Sequence, residues 1–368
     1  MRKKPVLLIA AGGTGGHMFP AQALAWEFEK VGWKVILVTD LRGEKFSREF
    51  PASIIKFVQI SATLRFRDPL RIPRAIFLIL ASIIKSFQVF IKFKPMAVIG
   101  FGGYPSFGSI FVAKLLDVNT IVHEQNAVLG RVNKFFSKRV NVVACSYWPT
   151  KAPINATMHF TGNPIRHDVM TVQRNIFSLP LTGPLNLIVI GGSQGASVFS
   201  KVVPEALKIL PEKLRNRLRV IQQARKEDCR ILEEHYEKLG VETRVKDFFP
   251  DVGKIFASAH LVIARAGAST ISEVLFFGKP LILVPIPHSF GDHQRLNAQR
   301  IAELGAAIKL DQDNLTGNQL AEKIKSILGN QKFAKKLALE ASKNSNPQAI
   351  IKLKDLVLKV AEGNFGAK

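Results

Sequence analysis

The sequence predicts an α/β protein built from two Rossmann-like, doubly wound parallel-sheet domains. Three observations carry that prediction. The chain has 368 residues, more than one hydrophobic core usually organises. A short apolar run that passes into a glycine loop and then a helical stretch occurs twice, at Val6–Ala10 before residues 12–16 and at Leu185–Ile190 before residues 191–195. Strand-like and helix-like segments then alternate after each occurrence, and continuous apolar strands of this kind are buried on both faces, as in parallel sheets.

Taken in order, the first half should place strands near Val6–Ala10, Lys34–Val38, 54–60, Ala97–Gly100, Thr120–His123 and Asn141–Cys145. A helix is expected over Phe19–Val31. The second half should place strands near Leu185–Ile190, Leu218–Gln222, Glu242–Val245, Leu261–Ile263 and Leu281–Val284. Residues 163–184 are rich in turn formers and lack a sustained period, so the junction is expected there. This gives domains at 1–163 and 164–368. The last helical stretch, about 347–360, is long enough to pack back on the first domain.

The chain carries 52 basic and 28 acidic residues, a net charge of +24. A field of that size attracts polyanions: nucleic acid, an anionic bilayer or a phosphorylated substrate. The excess leans to the first half, with 22 basic and 8 acidic residues before Asn163 against 30 and 20 after. The two cysteines, Cys145 and Cys229, have no metal-ligand or CxxC spacing. That argues against a disulfide framework and suits a reducing cytoplasm. The start, Met1 to Lys4 and then Val6 to Ala11, superficially resembles a signal peptide, but its apolar run is short and enters a glycine loop. A first β-strand is expected there instead.

Residues 63–95 stand apart, with seven basic residues including Arg71, Arg74 and Lys85 against the single acid Asp68. A transmembrane helix needs roughly 20 uninterrupted apolar residues, and Lys85 with Gln88 interrupts this run. A domain helix with one face in the core is one reading. The apolar residues nearly encircle the helix, however, more than a single core face needs. An interfacial helix that presents Ile76, Ile79, Ile83 and Phe87 to lipid, with Arg71, Arg74 and Lys85 at anionic headgroups, accounts for both features.

The chemistry-bearing motifs follow strand ends. Glycine loops between strand and helix let the backbone approach a phosphate and aim N–H groups at it. The loop Gly12-Gly13-Thr14-Gly15-Gly16-His17 lacks both the dinucleotide spacing and the P-loop ending, and alone is compatible with a simple tight turn. His17, at a helix start and a sheet's carboxyl end, sits where α/β ligands bind and titrates in a useful range. Gly102, Gly103 and Tyr104 follow another strand, and His123-Glu124-Gln125-Asn126 the next. They form either a buried polar network or one rim of a cleft. In the second half, residues 191–195 could cradle a phosphate. Arg265-Ala266-Gly267-Ala268-Ser269-Thr270-Ile271-Ser272-Glu273 opens a helix whose N-terminal dipole favours an anion. Glu273 could accept both hydroxyls of a ribose, unless this is a capped surface helix with Glu273 solvated. His288, Asp292 and His293 are too loosely spaced to predict a metal site.

These motifs, with Gly162-Asn163-Pro164-Ile165-Arg166, together resemble the MurG family of bacterial N-acetylglucosaminyltransferases over essentially the whole chain. The resemblance implies a GT-B fold, two Rossmann-like domains facing a cleft. It implies inverting transfer of GlcNAc from UDP-GlcNAc to the C4 hydroxyl of MurNAc in lipid I, giving lipid II, with no cofactor or metal required. Among donor contacts it implies Ser193 at the pyrophosphate and Phe249 near uracil. Ala268, Ser269, Thr270, Ile271 and Ser272 should line phosphate and sugar, with Glu273 on the ribose and Gln294 on GlcNAc. Thr14, Gly15, Gly16, Asn126 and Arg166 are the remaining donor contacts. His17 is the candidate general base, and Gly102, Gly103, Tyr104, His123 and Glu124 are expected at the acceptor cleft. Partners would be lipid I, the anionic cytoplasmic face of the plasma membrane and other cell-wall synthesis proteins, but not nucleic acid. Two stretches depart from the family pattern. Tyr104-Pro105-Ser106-Phe107 carries a bulky residue where a small one is usual, and Gln222-Gln223-Ala224-Arg225 replaces a His-Gln-Thr-Gly stretch.

Two rivals share the architecture: a lipid galactosyltransferase and a nucleotide-sugar epimerase. An epimerase acts on a soluble substrate and has little use for a basic apolar helix. A nucleic-acid-binding protein is suggested by charge alone, without a recognition-helix motif.

Overall fold

The computed structural model of the chain describes residues 4–47, 50–51, 55–59, 72–192, 197–287 and 289–364. The chain divides into two compact units, residues 1–166 with 347–368, and residues 167–346.

The first unit is a seven-stranded sheet: β1 (Val6–Ala10), β2 (Lys34–Asp40), β3 (Ile55–Gln59), β4 (Ala97–Gly100), β5 (Asn119–Glu124), β6 (Val142–Cys145) and β7 (Met158–Phe160). Its helices are α1 (Gly15–Lys30), α2 (Leu41–Glu44), α3 (Ile72–Phe93), α4 (Tyr104–Leu115) and α5 (Arg131–Phe136). The second unit holds α6 (His167–Met170), α7 (Ser197–Ile209), α8 (Glu212–Arg215), α9 (Cys229–Lys238), α10 (Val252–Ser258), α11 (Ala268–Phe276), α12 (His293–Glu303), α13 (Gly317–Leu328) and α14 (Gln331–Lys343). Its six strands are β8 (Leu185–Ile190), β9 (Leu218–Gln223), β10 (Glu242–Lys246), β11 (Leu261–Ala264), β12 (Leu281–Leu283) and β13 (Ile308–Lys309). The chain then returns to the first unit as α15 (Ala349–Ala361).

Every strand pairing is parallel, and the orders are β3-β2-β1-β4-β5-β6-β7 and β10-β9-β8-β11-β12-β13. Both are the doubly wound order, in which the winding reverses between the first and fourth strands and opens a crevice at their carboxyl ends. The two strands absent from the sequence expectation, β7 and β13, are short edge strands of three and two residues. Neither is long enough to show a period, and both are partly exposed.

Strand alternation sorts the first core into two layers. Leu7 and Ile9 pack with Leu24 and Phe28 of α1 and with Leu353, Leu356, Val357 and Val360 of α15. Leu8 and Ala10 point the other way, onto Val89 and Phe90 of α3 and Val112 and Ala113 of α4. Truncating such a fully buried leucine typically costs about 2–5 kcal/mol. Helix α15 is further tied by Lys354 Nζ to Glu27 Oε2 at 3.4 Å and by Asn119 Nδ2 donating to the Ala361 carbonyl at 3.3 Å. Burial would raise the Glu27 pKa, but Lys30 and Lys354 outweigh it and hold the carboxyl below its ordinary value.

Candidate active site

In the first unit the crevice between β1 and β4 is lined by two glycine loops. The β1 loop runs straight into α1, which begins at Gly15 inside the glycine run, four residues before the expected start. Thr14 is its extended N-cap, and the Thr14 hydroxyl does not cap the helix. His17, in the first turn, lies half-buried with Nδ1 2.9 Å from the Gly12 carbonyl oxygen. A carbonyl oxygen can only accept, so Nδ1 carries the hydrogen and Nε2 is the basic nitrogen of the neutral ring. The β4 loop closes over the same ring. Gly102 and Gly103 have φ of +92° and +74°, and a Cβ on Gly102 would stand 3.4 Å from His17 Nε2. The left-handed backbone favours glycine at both positions. Tyr104 follows at the start of α4, half-buried, and Ser106 Oγ donates to the Ala10 carbonyl at 2.8 Å, tying α4 to β1. His17, Gly102 and Gly103 are thus brought together.

His123 and Glu124, expected to line the acceptor cleft, turn inward instead. His123 is fully buried and accepts from Gln125 Nε2 at Nδ1 (3.0 Å) while Nε2 donates to the Gly162 carbonyl (3.2 Å). Burial, aided by the nearby His17 and opposed by the Gly162 bond, drives its pKa down to about 4. Glu124 accepts four hydrogen bonds: from Asn126 N and Nδ2, both 3.0 Å, Gly130 N at 2.8 Å and Asn133 Nδ2 at 2.9 Å. Of the two readings left open by the sequence, the buried network describes these two residues. They shape the 126–130 loop, where Asn126 sits half-buried. Arg166 is buried with its guanidinium 4.5 Å above the Phe19 ring of α1.

Asp40, at the carboxyl end of β2, escaped the sequence analysis. Its Oδ1 accepts from Gly13 N at 2.9 Å and Gly43 N at 2.8 Å, and its Oδ2 pairs with Arg42 at 3.0 Å. An acid after the second strand, some two dozen residues past a glycine loop, was the available signal.

In the second unit the crevice lies between β8 and β11. Gly191 and Gly192 follow β8; Ser193 and the rest of that loop to residue 196 lie outside the described residues. Gly267 is the N-cap of α11 and provides no side-chain cap for the first-turn N–H groups of Ala268, Ser269 and Thr270, an arrangement suited to an anion. Ser269 Oγ is buried without a hydrogen-bond partner among the described residues. Ser272 Oγ donates back to the Ala268 carbonyl at 3.0 Å, and Ile271 is core. Glu273 is 5% exposed, which excludes a solvated surface glutamate. Arg265 is buried and donates to the Val284 and Pro285 carbonyls at 3.0 and 3.3 Å, locking the ends of β11 and β12 together. Burial lowers its pKa to about 10, still high enough to keep it cationic at neutral pH. Asn297 Nδ2 supports the loop by donating to the Ala266 carbonyl at 3.1 Å. Gln294 Oε1 accepts from Ile286 N at 3.1 Å, leaving its amide N–H group uncommitted among the described residues. Phe249 is buried after β10, with the Arg244 guanidinium 5.1 Å from its ring centre.

Helix α3 extends unbroken through Lys85 and Gln88, and Ala75–Phe93 is long and apolar enough to cross a membrane by length and composition. It packs on α4 through a serine seam. Ser86 and Ser109 hydroxyls stand 3.4 Å apart, and Ser82 leaves no room for a Cβ on Gly108. The opposite face exposes Ile76, Phe77, Leu80, Ile84, Phe87 and Ile91, with Lys85 also exposed. Ile76 and Phe87 stand on that face as expected. Ile79 and Ile83 do not: both are half-buried, and Ile83 packs on the sheet core. A nearly all-apolar circumference cannot say which stripe a neighbour will take; the small serines decided it. Arg71 lies outside the described residues, as does the side chain of Arg74.

Two doubly wound units, each with glycine loops at its own winding reversal, make up the GT-B architecture. Residues 7–145 match the glycosyltransferase family 28 N-terminal domain, and residues 186–353 match its C-terminal domain. The chain is 40% identical to the UDP-N-acetylglucosamine--N-acetylmuramyl-(pentapeptide) pyrophosphoryl-undecaprenol N-acetylglucosamine transferase of Sinorhizobium fredii, over 99% of this chain and 98% of that protein. It is 41% identical to the Caulobacter vibrioides protein of that name, over 96% and 98%. The crystal structure of Acinetobacter baumannii MurG superposes with a TM-score of 0.78 at 28% identity, covering 97% of this chain and 99% of that one. The chain belongs to the MurG family of N-acetylglucosaminyltransferases.

Proposed function

We propose that this protein transfers GlcNAc from UDP-GlcNAc to the MurNAc C4 hydroxyl of lipid I, making lipid II for the bacterial cell wall, with inversion at the anomeric carbon. The observation that carries this reading is the extent of the family match: it spans both units, so the first-unit and second-unit loops are inherited together.

The residues supply a consistent mechanism. His17 Nε2 removes the C4 hydroxyl proton as that oxygen bonds to the anomeric carbon. The carbon–oxygen bond to the diphosphate breaks, and UDP leaves with the electron pair. The α11 N-terminus, the Ser269 hydroxyl and the glycine loop at 191–192 stabilise the diphosphate charge with fixed dipoles. Ser193 belongs to the same cradle. Glu273 holds the ribose hydroxyls, Phe249 supports the uracil, and Gln294 uses its amide N–H group on the sugar. Thr14, Gly15, Gly16, Asn126 and Arg166 complete the donor contacts. Gly102, Gly103 and Tyr104 receive the acceptor. Residues 1–166 with 347–368 therefore act as the acceptor unit and residues 167–346 as the donor unit. No metal is needed for any of these steps.

The exposed face of α3 seats the first unit on the cytoplasmic face of the plasma membrane, where lipid I resides. Bulky apolar side chains enter the headgroup boundary while Lys85 and the surrounding positive charge meet anionic lipid. Other cell-wall synthesis proteins would meet the enzyme at that surface.

The test is to incubate purified protein with UDP-GlcNAc and a lipid I analogue in the presence of a chelator, and to measure UDP release and the disaccharide-lipid product. Product without added metal is expected. UDP-GlcNAc binding without product would retain the donor site and redirect the search to other lipid acceptors.

A further inference from the structure

We infer that Asp40 is a positioning residue for the transfer: its carboxylate fixes the Gly12–Gly13 loop and so sets the orientation and tautomer of His17. This rests on the role of His17 as general base and adds a residue to it.

In a doubly wound α/β unit, an acid at the carboxyl end of the second strand ordinarily faces the crevice and takes the hydroxyls of a bound ribose. Asp40 occupies that position, as the last residue of β2, yet it is 1% exposed and its oxygens are held by the protein itself. Oδ1 accepts from Gly13 N at 2.9 Å and from Gly43 N at 2.8 Å. Oδ2 takes a two-pronged contact from Arg42, with Nε at 3.2 Å and the terminal nitrogen at 3.0 Å. A carboxylate accepting two amide hydrogens and a guanidinium fork is held in one geometry.

The Gly13 amide is the link to the chemistry. The peptide between Gly12 and Gly13 is planar, so the bond that fixes Gly13 N–H also fixes the direction of the Gly12 carbonyl. That carbonyl receives His17 Nδ1 at 2.9 Å. Asp40 therefore determines where the acceptor for Nδ1–H points, and through it that Nε2 is the basic nitrogen. Only glycine fits this close to the carboxylate: a Cβ on Gly12 would lie 2.9 Å from Asp40 Oδ1 and 2.6 Å from Pro105 Cγ. Arg42 is half-exposed and orients the carboxylate from outside. The loop is glycine-rich and its backbone is soft, so without this anchor the carbonyl turns and the imidazole loses its fixed tautomer.

The experiment compares kcat at saturating UDP-GlcNAc for Asp40→Ala, Asp40→Asn, His17→Ala and the Asp40→Ala/His17→Ala double variant. It also records the ring-nitrogen NMR shifts of His17. Asp40→Ala is expected to lower kcat roughly 100-fold, the scale set by misplacing a catalytic group by about an ångström, and to convert His17 from the Nδ1–H form to a tautomer mixture. Asp40→Asn keeps an acceptor oxygen for both amides and is expected to retain most of kcat and the Nδ1–H signature. In the His17→Ala background, Asp40→Ala should cost nothing further, because the residue acts through the imidazole. Full additivity in the double variant would overturn the proposal while leaving His17 as the base. So would an unchanged His17 signature in Asp40→Ala. If Asp40→Ala does not fold, the Asn variant decides: loss of kcat with the Nδ1–H signature intact overturns the proposal. An intact kcat in His17→Ala alone would instead remove the base itself, a separate failure seen in a separate variant.

Discussion

The two winding reversals share a topology and differ in what their side chains do. At the first, between β1 and β4, acidic and imidazole groups face the protein: Asp40 and Glu124 each accept several hydrogen bonds from backbone or amide donors. The result is one half-buried imidazole, His17, held by a backbone carbonyl. At the second, between β8 and β11, the loop is braced from behind by Arg265 and Asn297. Its front is left as helix N–H groups and a buried Ser269 hydroxyl that has no partner among the described residues. In the proposed reaction one crevice aims a proton acceptor and the other receives an anion. The same fold supports both because the strand ends fix the loops while the loop residues choose the chemistry.

Substitutions can break that contrast. The largest effect is expected for His17→Ala: turnover should fall about 10²–10⁴-fold, while calorimetric titration finds UDP-GlcNAc affinity largely intact. Equal losses of binding and turnover would dissolve the division of labour. Next in size is a pH effect confined to the first unit. His123 has a pKa near 4 in the fold against an ordinary 6.5. Between those values the unfolded chain binds more protons, so stability is whole above about pH 6.5 and declines as pH falls towards 4, by ~3 kcal/mol in all. Melting temperatures across that range should show the decline in the native protein and a flatter profile in His123→Gln. The second crevice should respond in the opposite currency. Glu273→Gln is expected to raise the KM for UDP-GlcNAc by roughly tenfold, the scale of a lost charge-assisted hydrogen bond, with less change in kcat. A dominant kcat effect would mean that Glu273 acts on the reacting sugar instead of the ribose. The smallest effect belongs to Lys354→Met, which removes one partner of a half-buried ion pair holding α15. It should cost about 0.5–1 kcal/mol at neutral pH. Because the Glu27 pKa is lowered in the fold, the loss should fade as pH drops below 4.5 and through the folded value, measurable as converging melting temperatures.

Much of this architecture was legible in the sequence because its signals are local. Apolar runs such as Leu185–Ile190 announce buried parallel strands, and glycine runs after them announce loops that approach a ligand. The elements that escaped, β7 and β13, are edge strands too short to carry a period. The place of Glu273 one turn into a helix was legible, whereas the inward turn of His123 and Glu124 was not. A polar residue at a strand end looks the same in sequence whether it faces solvent or a buried network, since the difference lies in partners far along the chain, such as Gly162 for His123.

The same division holds for the whole protein. Sequence alone determined the α/β class, the two doubly wound units, the glycine loops, the basic apolar helix and the family, because each depends on residue type and short-range spacing. Tertiary structure decided which face of α3 stays exposed, which ring nitrogen of His17 is basic, and that Asp40 braces a loop instead of binding a ribose. Those outcomes depend on which side chains meet across the sheet, and hydrogen-bond direction and packing partner exist only once distant segments have been brought into contact.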